Sequence, residues 1–363
     1  MYSPFQHSGS VLWKRRPIHL TFFITRRCNS RCPFCFYLKN TPPSTGEINN
    51  SEELSVDEIN KISNSLGSLL WLAFSGGEIY LRDDLVEISR IFYKNNRPVI
   101  MLFPTNGLLP ELIKDRTEQI LDHCKKSVIA VKLSIDGLYE SHDRVRNTPG
   151  SFDKTMQTYH HLKGFLGKYP NFELGVNTVF CSENQDNMDE IIDFVNGLDG
   201  IKTHTISLIR GELSNEDFKN VEYKKYYRAI ERLEDNLKNK ISSIYRFRGA
   251  KLKAAQDILQ RRLIYRTAHD KKRLIPCYAG RLNLVLTENG EVFPCEILTS
   301  SFGNIKDHDY DIMKVVRSDK AKKIIKSITE NRCYCTHECY FMTNILFNPR
   351  LYPELAKEYI QLR

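Results

Sequence analysis

The chain has 363 residues, 41% of them apolar and 27% charged, an ordinary globular balance and long enough for one α/β barrel or for a large and a small domain. No apolar run approaches the roughly 18 residues of a membrane span, and the start lacks the basic-then-apolar order of a signal peptide, so a cytoplasmic protein with no membrane partner is expected. A formal net charge of +9 is a mild bias toward anionic partners or simply a lysine-rich surface, and no compact basic block marks a specific nucleic-acid site.

In chain order, strand-length apolar runs alternate with helical patterns. IHLTFFI (18–24) reads as a strand and runs directly into Cys28, Cys32 and Cys35. A helix opens at Ser55, with Glu58 three residues on as a capping-box signal. WLAFS (71–75) suits a buried parallel strand. It leads into Ser75-Gly76-Gly77-Glu78 and the helix DDLVEISRIFYKNN. PVIMLF (98–103) precedes Thr105-Asn106-Gly107 and a helix starting at Pro110. SVIAVKLSI (127–135) ends at LSIDG and is followed by HDRVRN and a helix from Ser151. FELGVNTVF (172–180), the helix NMDEIIDFVNGL and the strand THTISLI (203–209) close the series.

Alternation of this kind implies a parallel sheet with right-handed crossovers. The series gives six β/α units, short of the eight in a closed barrel. The expected fold is therefore α/β, a partial, open (β/α)6 barrel of the TIM type over residues 1–212, with its chemistry at the C-terminal ends of the strands. Residues 213–275 read as a charged helical linker, or alternatively as a lid or substrate-docking element. Residues 276–363 read as a small cysteine-rich α+β domain. It holds a hairpin about a two-residue Asn289-Gly290 turn, a helix near 311–328, and the cysteines of RCYCTHEC.

The ten cysteines are unevenly spread. Cys124 and Cys181 stand alone and read as buried small hydrophobes. In a reducing cytosol the other, clustered thiols suggest metal rather than disulfides. Cys28, Cys32 and Cys35 are three, where zinc or an ordinary iron–sulfur cluster takes four ligands. Three thiolates on a four-iron cubane leave one iron open to something else. A zinc knuckle lacking a ligand is the plainer alternative.

The spacing Cx3Cx2C, with Phe34 before the last cysteine, resembles the signature of the radical S-adenosylmethionine (radical SAM) enzymes. The resemblance covers roughly residues 18–210. It implies a 4Fe–4S cluster on Cys28, Cys32 and Cys35 whose open iron chelates the methionine moiety of S-adenosylmethionine. It also implies reductive cleavage to a 5′-deoxyadenosyl radical that abstracts a substrate hydrogen, and an electron donor such as flavodoxin or ferredoxin. Gly76, Gly77 and Glu78 resemble the family's GGE motif, whose glycines let the backbone meet the methionine amino group; Ile79 stands where proline is usual. Asn106, Ser134, Asp136 and Arg146 fall in segments similar to those of the peptide-modifying branch, and Asn177 on the fifth strand is a further polar candidate. They are implied cofactor contacts, with Arg146 a partner for the cofactor's carboxylate. Read without the resemblance, Asp136 is a turn-capping aspartate and Arg146 a surface arginine.

Cys277, Gly290 with Cys295 five positions on, Cys333, Cys335 and Cys339 resemble the SPASM extension or its shorter form, Twitch. Five thiols are too few for two fully ligated clusters. One auxiliary 4Fe–4S cluster is expected, on Cys277, Cys295, Cys335 and Cys339, with Cys333 as the alternative fourth ligand. A zinc ribbon is the structural alternative. The resemblance does not fix the substrate or a catalytic residue. An oxidoreductase modifying a ribosomal peptide is the leading expectation. The alternatives are radical dehydrogenation or rearrangement of a small molecule such as a sugar and, from another class, a zinc-stapled nucleic-acid-binding protein. With only 27 residues before Cys28, a separate peptide-recognition protein is an expected partner.

Overall fold

The computed structural model describes residues 1–38, 53–330 and 333–362. The barrel strands set large aliphatic and aromatic residues on their outward face against an inward face of mixed character, with Thr21, Ala73, Ala130 and Ser134 small or polar and Trp71, Ile100 and Leu102 large. Strands β1 (His19–Thr25), β2 (Trp71–Gly76), β3 (Ile100–Thr105), β4 (Val128–Ser134), β5 (Phe172–Phe180) and β6 (Thr203–Leu208) pair in parallel in chain order. Leu20, Phe22, Leu72, Phe74, Met101, Phe103, Ile129 and Val131 point outward into a buried core. The helices that cover this core and its continuation along β5 and β6 are α1 (Val56–Ser65), α2 (Leu85–Asn96), α3 (Pro110–His123), α4 (Glu140–Arg146), α5 (Ser151–Lys163), α6 (Phe165–Lys168) and α7 (Met188–Gly197). The expected capping box is present: Ser55 Oγ accepts from the Glu58 amide, and the Glu58 carboxylate accepts from the Ser55 amide.

The inward face carries Thr21, Ala73, Ala130, Lys132, Asn177 and Thr205, all lining a cavity. A closed barrel fills this space with branched aliphatic side chains; here small residues leave it hollow.

The expected helical segment forms α8 (Tyr223–Lys238) and α9 (Ala250–Asp270). Helix α9 lines the cavity through Lys253, Asp257, Gln260, Arg261 and Ile264. The C-terminal region extends the barrel's sheet. Strand β7 (Asn283–Leu286) pairs in parallel with β1, and β8 (Glu291–Phe293) and β9 (Gly303–Asn304) continue antiparallel, giving a nine-stranded sheet among the described residues.

The β7–β8 hairpin differs in detail from the expected two-residue turn. The Thr287 amide donates to the Glu291 carbonyl, enclosing residues 288–290, and only Gly290 has a positive φ, 93°. This is a three-residue loop with glycine in its left-handed position. The helix expected near 311–328 is two, α10 (Ile312–Arg317) and α11 (Asp319–Glu330), broken at Ser318 with extended backbone. Helices α12 (Glu338–Leu346) and α13 (Tyr352–Gln361) pack against α9 and complete the fold.

Candidate functional site

The C-terminal ends of the strands converge on the loop carrying Cys28, Cys32 and Cys35. All three thiols line one cavity of about 670 Å³, which runs from this loop into the barrel. The Cys35 amide donates to the Cys32 carbonyl at 3.0 Å, and Arg31 Nη1 to the Cys28 carbonyl at 2.9 Å, so the loop folds back on itself. Phe34 anchors it, buried against Phe218 with ring centroids 5.9 Å apart. Ser30 Oγ lies 3.2 Å from Cys32 Sγ and 3.0 Å from Thr148 Oγ1, tying the loop to the segment after α4.

Glycines at 76 and 77 let the end of β2 press against the chain entering this loop. The Gly77 amide donates to the Thr25 carbonyl and the Glu78 amide to the Arg27 carbonyl, each at 2.8 Å. A Cβ on Gly77 would lie 2.0 Å from the Arg27 carbonyl oxygen. Gly76 adopts a φ of 121°, open to glycine alone in practice.

Glu78 is fully enclosed. Its carboxylate accepts from Thr105 Oγ1 at 2.9 Å, the Asn106 amide at 2.8 Å and the Tyr80 amide at 3.3 Å, which clips the ends of β2 and β3 together. Burial nevertheless raises its pKa to about 7, outweighing those donors. Asn106 Nδ2 in turn donates to Asn29 Oδ1 at 2.8 Å and lies 3.9 Å from Cys28 Sγ.

Beyond β4, Arg146 Nη1 donates to Asp136 Oδ2 at 2.6 Å, and Asp136 Oδ1 accepts from the Val179 amide at 2.7 Å. Asp136 is thus a buried cross-strand anchor and Arg146 a buried cation rather than a turn cap and a surface arginine. Arg146 Nε has no hydrogen-bond partner among the described residues, and the side chain lines the cavity. Ser134 and Asn177 line it too, and Asn177 Oδ1 accepts from Ser207 Oγ at 3.1 Å.

The donor set fits an iron–sulfur cluster. Burial first, then the Glu78 charge, pushes Cys28 up to about 12, and burial raises Cys35. Iron held by the loop would supply positive charge that favours thiolate over thiol at Cys28 and Cys35, and the Arg146 cation lies near enough to Cys28 to add to it.

The second cysteine set is divided. Cys277, Cys295, Cys333 and Cys335 line a separate cavity of about 50 Å³ with Ile328, Tyr340 and Phe341. Cys339 lines the large cavity instead, beside Glu296, His337 and Glu338. His337 separates the two groups: its Nδ1 accepts from the Cys339 amide at 3.2 Å to cap α12, and its Nε2 lies 2.6 Å from Glu296 Oε2. The expected ligands Cys277, Cys295 and Cys335 are brought together, with Cys333 beside them and Cys339 turned toward the barrel. Sequence reasoning missed Lys132, Arg210, Glu296 and Arg261 as cavity residues. Lys132 was findable, because it shares an inward register with Ser134 on β4.

Comparison with known proteins gives matches in both the barrel and the C-terminal region. Residues 22–195 match the family model of the Radical SAM superfamily, and residues 277–340 match SPASM, an iron–sulfur cluster-binding domain. The antilisterial bacteriocin subtilosin biosynthesis protein AlbA of Bacillus subtilis (strain 168) is 27% identical over 307 residues, covering 81% of this chain and 59% of AlbA. This chain therefore spans less than two thirds of that relative. The AdoMet-dependent heme synthase of Methanosarcina barkeri (strain Fusaro / DSM 804) is 24% identical, covering 81% of each chain. Among solved structures, Streptococcus suis SuiB bound to S-adenosylmethionine shares the fold at a TM-score of 0.62 and 15% identity, covering 89% of this chain and 71% of SuiB.

Proposed function

Because the chain belongs to the radical SAM superfamily and carries a SPASM iron–sulfur domain, we propose that it is an enzyme that cleaves S-adenosylmethionine reductively and abstracts a hydrogen atom from a ribosomally made peptide. The observation that carries this reading is the single cavity shared by Cys28, Cys32 and Cys35 and by Glu296, His337 and Glu338 of the SPASM region. A substrate in that cavity faces both halves of the molecule.

When bound, the reduced N-terminal cluster and S-adenosylmethionine supply the hydrogen-abstracting radical. The chain's own residues do the rest. Cys28, Cys32 and Cys35 hold the cluster. Ser134, Asn177 and Arg146, which line the cavity, are the proposed contacts to the cofactor, and the Arg146 fork suits a carboxylate. Phe34, Gly76, Gly77, Glu78, Asn106 and Asp136 fix the loop and strand ends that present those groups. Cys277, Cys295 and Cys335 hold an auxiliary cluster, and position favours Cys333 over Cys339 as its fourth ligand. Electrons come from a flavodoxin or ferredoxin, and a separate protein delivers the peptide.

The peptide reading is supported by the likeness to AlbA, named for bacteriocin biosynthesis. The heme synthase aligns over 81% of its length, and that favours a small-molecule substrate as the second reading. The test is incubation of the reduced holoenzyme with small peptides encoded beside its gene. A changed peptide mass with 5′-deoxyadenosine formed in step supports the first reading. Turnover of a small molecule with every such peptide left unchanged supports the second.

A further inference from the structure

Below the cysteine loop, the inner wall of the barrel carries two cations with no carboxylate within ion-pairing distance among the described residues. Lys132 lies on β4, one inward position below Ser134, about 7 Å along the strand. Its Nζ donates to Thr203 Oγ1 and to the Thr203 carbonyl, the latter at 3.4 Å, which leaves one of three donor directions unused. Arg261 of α9 donates through Nη2 to the His204 carbonyl at 3.2 Å, and its Nη1 is buried without a partner. Both line the large cavity. The fold makes room for the lysine, since a Cβ on Gly175 would lie 2.6 Å from Lys132 Nζ and 2.4 Å from Thr203 Oγ1.

The neighbouring charges set the sign. Lys253 pairs with Asp257 on α9, and Glu173 accepts from the Arg246 amide at 2.6 Å. Burial lowers the Lys132 pKa to about 7, so an anion seated beside it would favour its positive charge, which Asp257 and Glu173 already favour. His204 adds no charge, because burial holds it neutral with a pKa lowered to about 3. Buried cations are normally paired or hydrogen-bonded to an anion. A planar arginine fork beside a lysine nitrogen matches a carboxylate.

We propose that Lys132 and Arg261 form a carboxylate-binding subsite inside the barrel, which takes an acidic side chain of the substrate next to the residue being modified. This rests on the peptide reading above and deepens it, by requiring an aspartate or glutamate beside the reacting residue.

Trp71 lies at the same end of the cavity, with Lys253 Nζ 5.9 Å from its ring centroid, so its fluorescence reports the subsite. The chain's other tryptophan, Trp13, is exposed and is replaced by Trp13→Phe. The cluster-loaded protein with S-adenosylmethionine is titrated anaerobically with glutarate, with its neutral diamide glutaramide, and with inorganic phosphate. The proposal expects a saturable change with glutarate, none with glutaramide, and at least ten-fold weaker glutarate binding in Lys132→Met and in Arg261→Gln. Equal responses to glutarate and glutaramide, undiminished affinity in both variants, or tighter binding of phosphate than of glutarate would overturn it. Arg261→Gln decides the matter if Lys132→Met does not fold. The readout needs no turnover. Failure to bind glutarate sinks the subsite alone, and absence of 5′-deoxyadenosine sinks the radical reading alone.

Discussion

Arg146 Nη1 lies 2.6 Å from Asp136 Oδ2, and the two side chains are buried together beside the cysteine loop. Removing one partner leaves the other charge uncompensated, a loss of about 3–5 kcal/mol. Asp136→Ala is expected to destabilise the metal-free protein by that order in chemical denaturation. Adding Arg146→Met to it is expected to recover part of the loss. Additive losses would show that the pair is not energetically coupled.

Gly77→Ala places a methyl group 2.0 Å from the Arg27 carbonyl, against backbone that cannot rotate away. The end of β2 must retreat from the chain leading to Cys28, at about 1–3 kcal/mol. Iron bound at the N-terminal site is expected to fall while auxiliary iron is retained. Unchanged N-terminal iron would mean that this close approach is not needed to shape the loop.

Iron content also separates the C-terminal cysteines. Cys333 shares the small cavity with Cys277, Cys295 and Cys335, whereas Cys339 faces the barrel. Cys333→Ser is expected to lose the auxiliary iron and Cys339→Ser to keep it. The opposite pattern would return the fourth ligand to Cys339.

Three buried histidines give the native state a defined acid sensitivity. Burial is the largest cause lowering His19, His142 and His204, each to about 3. The unfolded chain takes up these protons near pH 6.5 and the native state does not. Stability is therefore complete above about pH 6.5 and is lost as pH falls through the window toward 3. At pH 5 each histidine is expected to cost about 2 kcal/mol relative to neutral pH. His204→Gln should shrink the loss between pH 7.5 and 5.0 by about that amount, read from urea unfolding. An unchanged pH slope would mean that His204 is not held neutral.

The alternation of strands and helices was open to sequence reading because each strand's outward residues, such as Phe22, Phe74 and Phe103, are large and apolar. The cysteine loop was equally plain, since three ligands lie within eight residues. Tertiary pairing was less visible. Asp136 and Arg146 are ten positions apart and looked like a turn residue and a surface cation until α4 folded one onto the other. Cys339 was expected in one ligand set with Cys335, and the structure places it on the first turn of α12, after the His337 cap, where it lines the large cavity. The hollow interior was present in the alternating Ala130, Lys132 and Ser134 of β4, yet one strand's pattern does not say which face is enclosed. The role of α9 in lining the cavity depends on contacts far apart in the chain.

The most direct test of the whole account is the formation of 5′-deoxyadenosine by anaerobically reconstituted protein given S-adenosylmethionine and dithionite. The account predicts its release by the native protein and none from Cys32→Ala, with the auxiliary iron of that variant intact. No 5′-deoxyadenosine from native protein whose N-terminal cluster is fully loaded, or equal amounts from the variant, would contradict it.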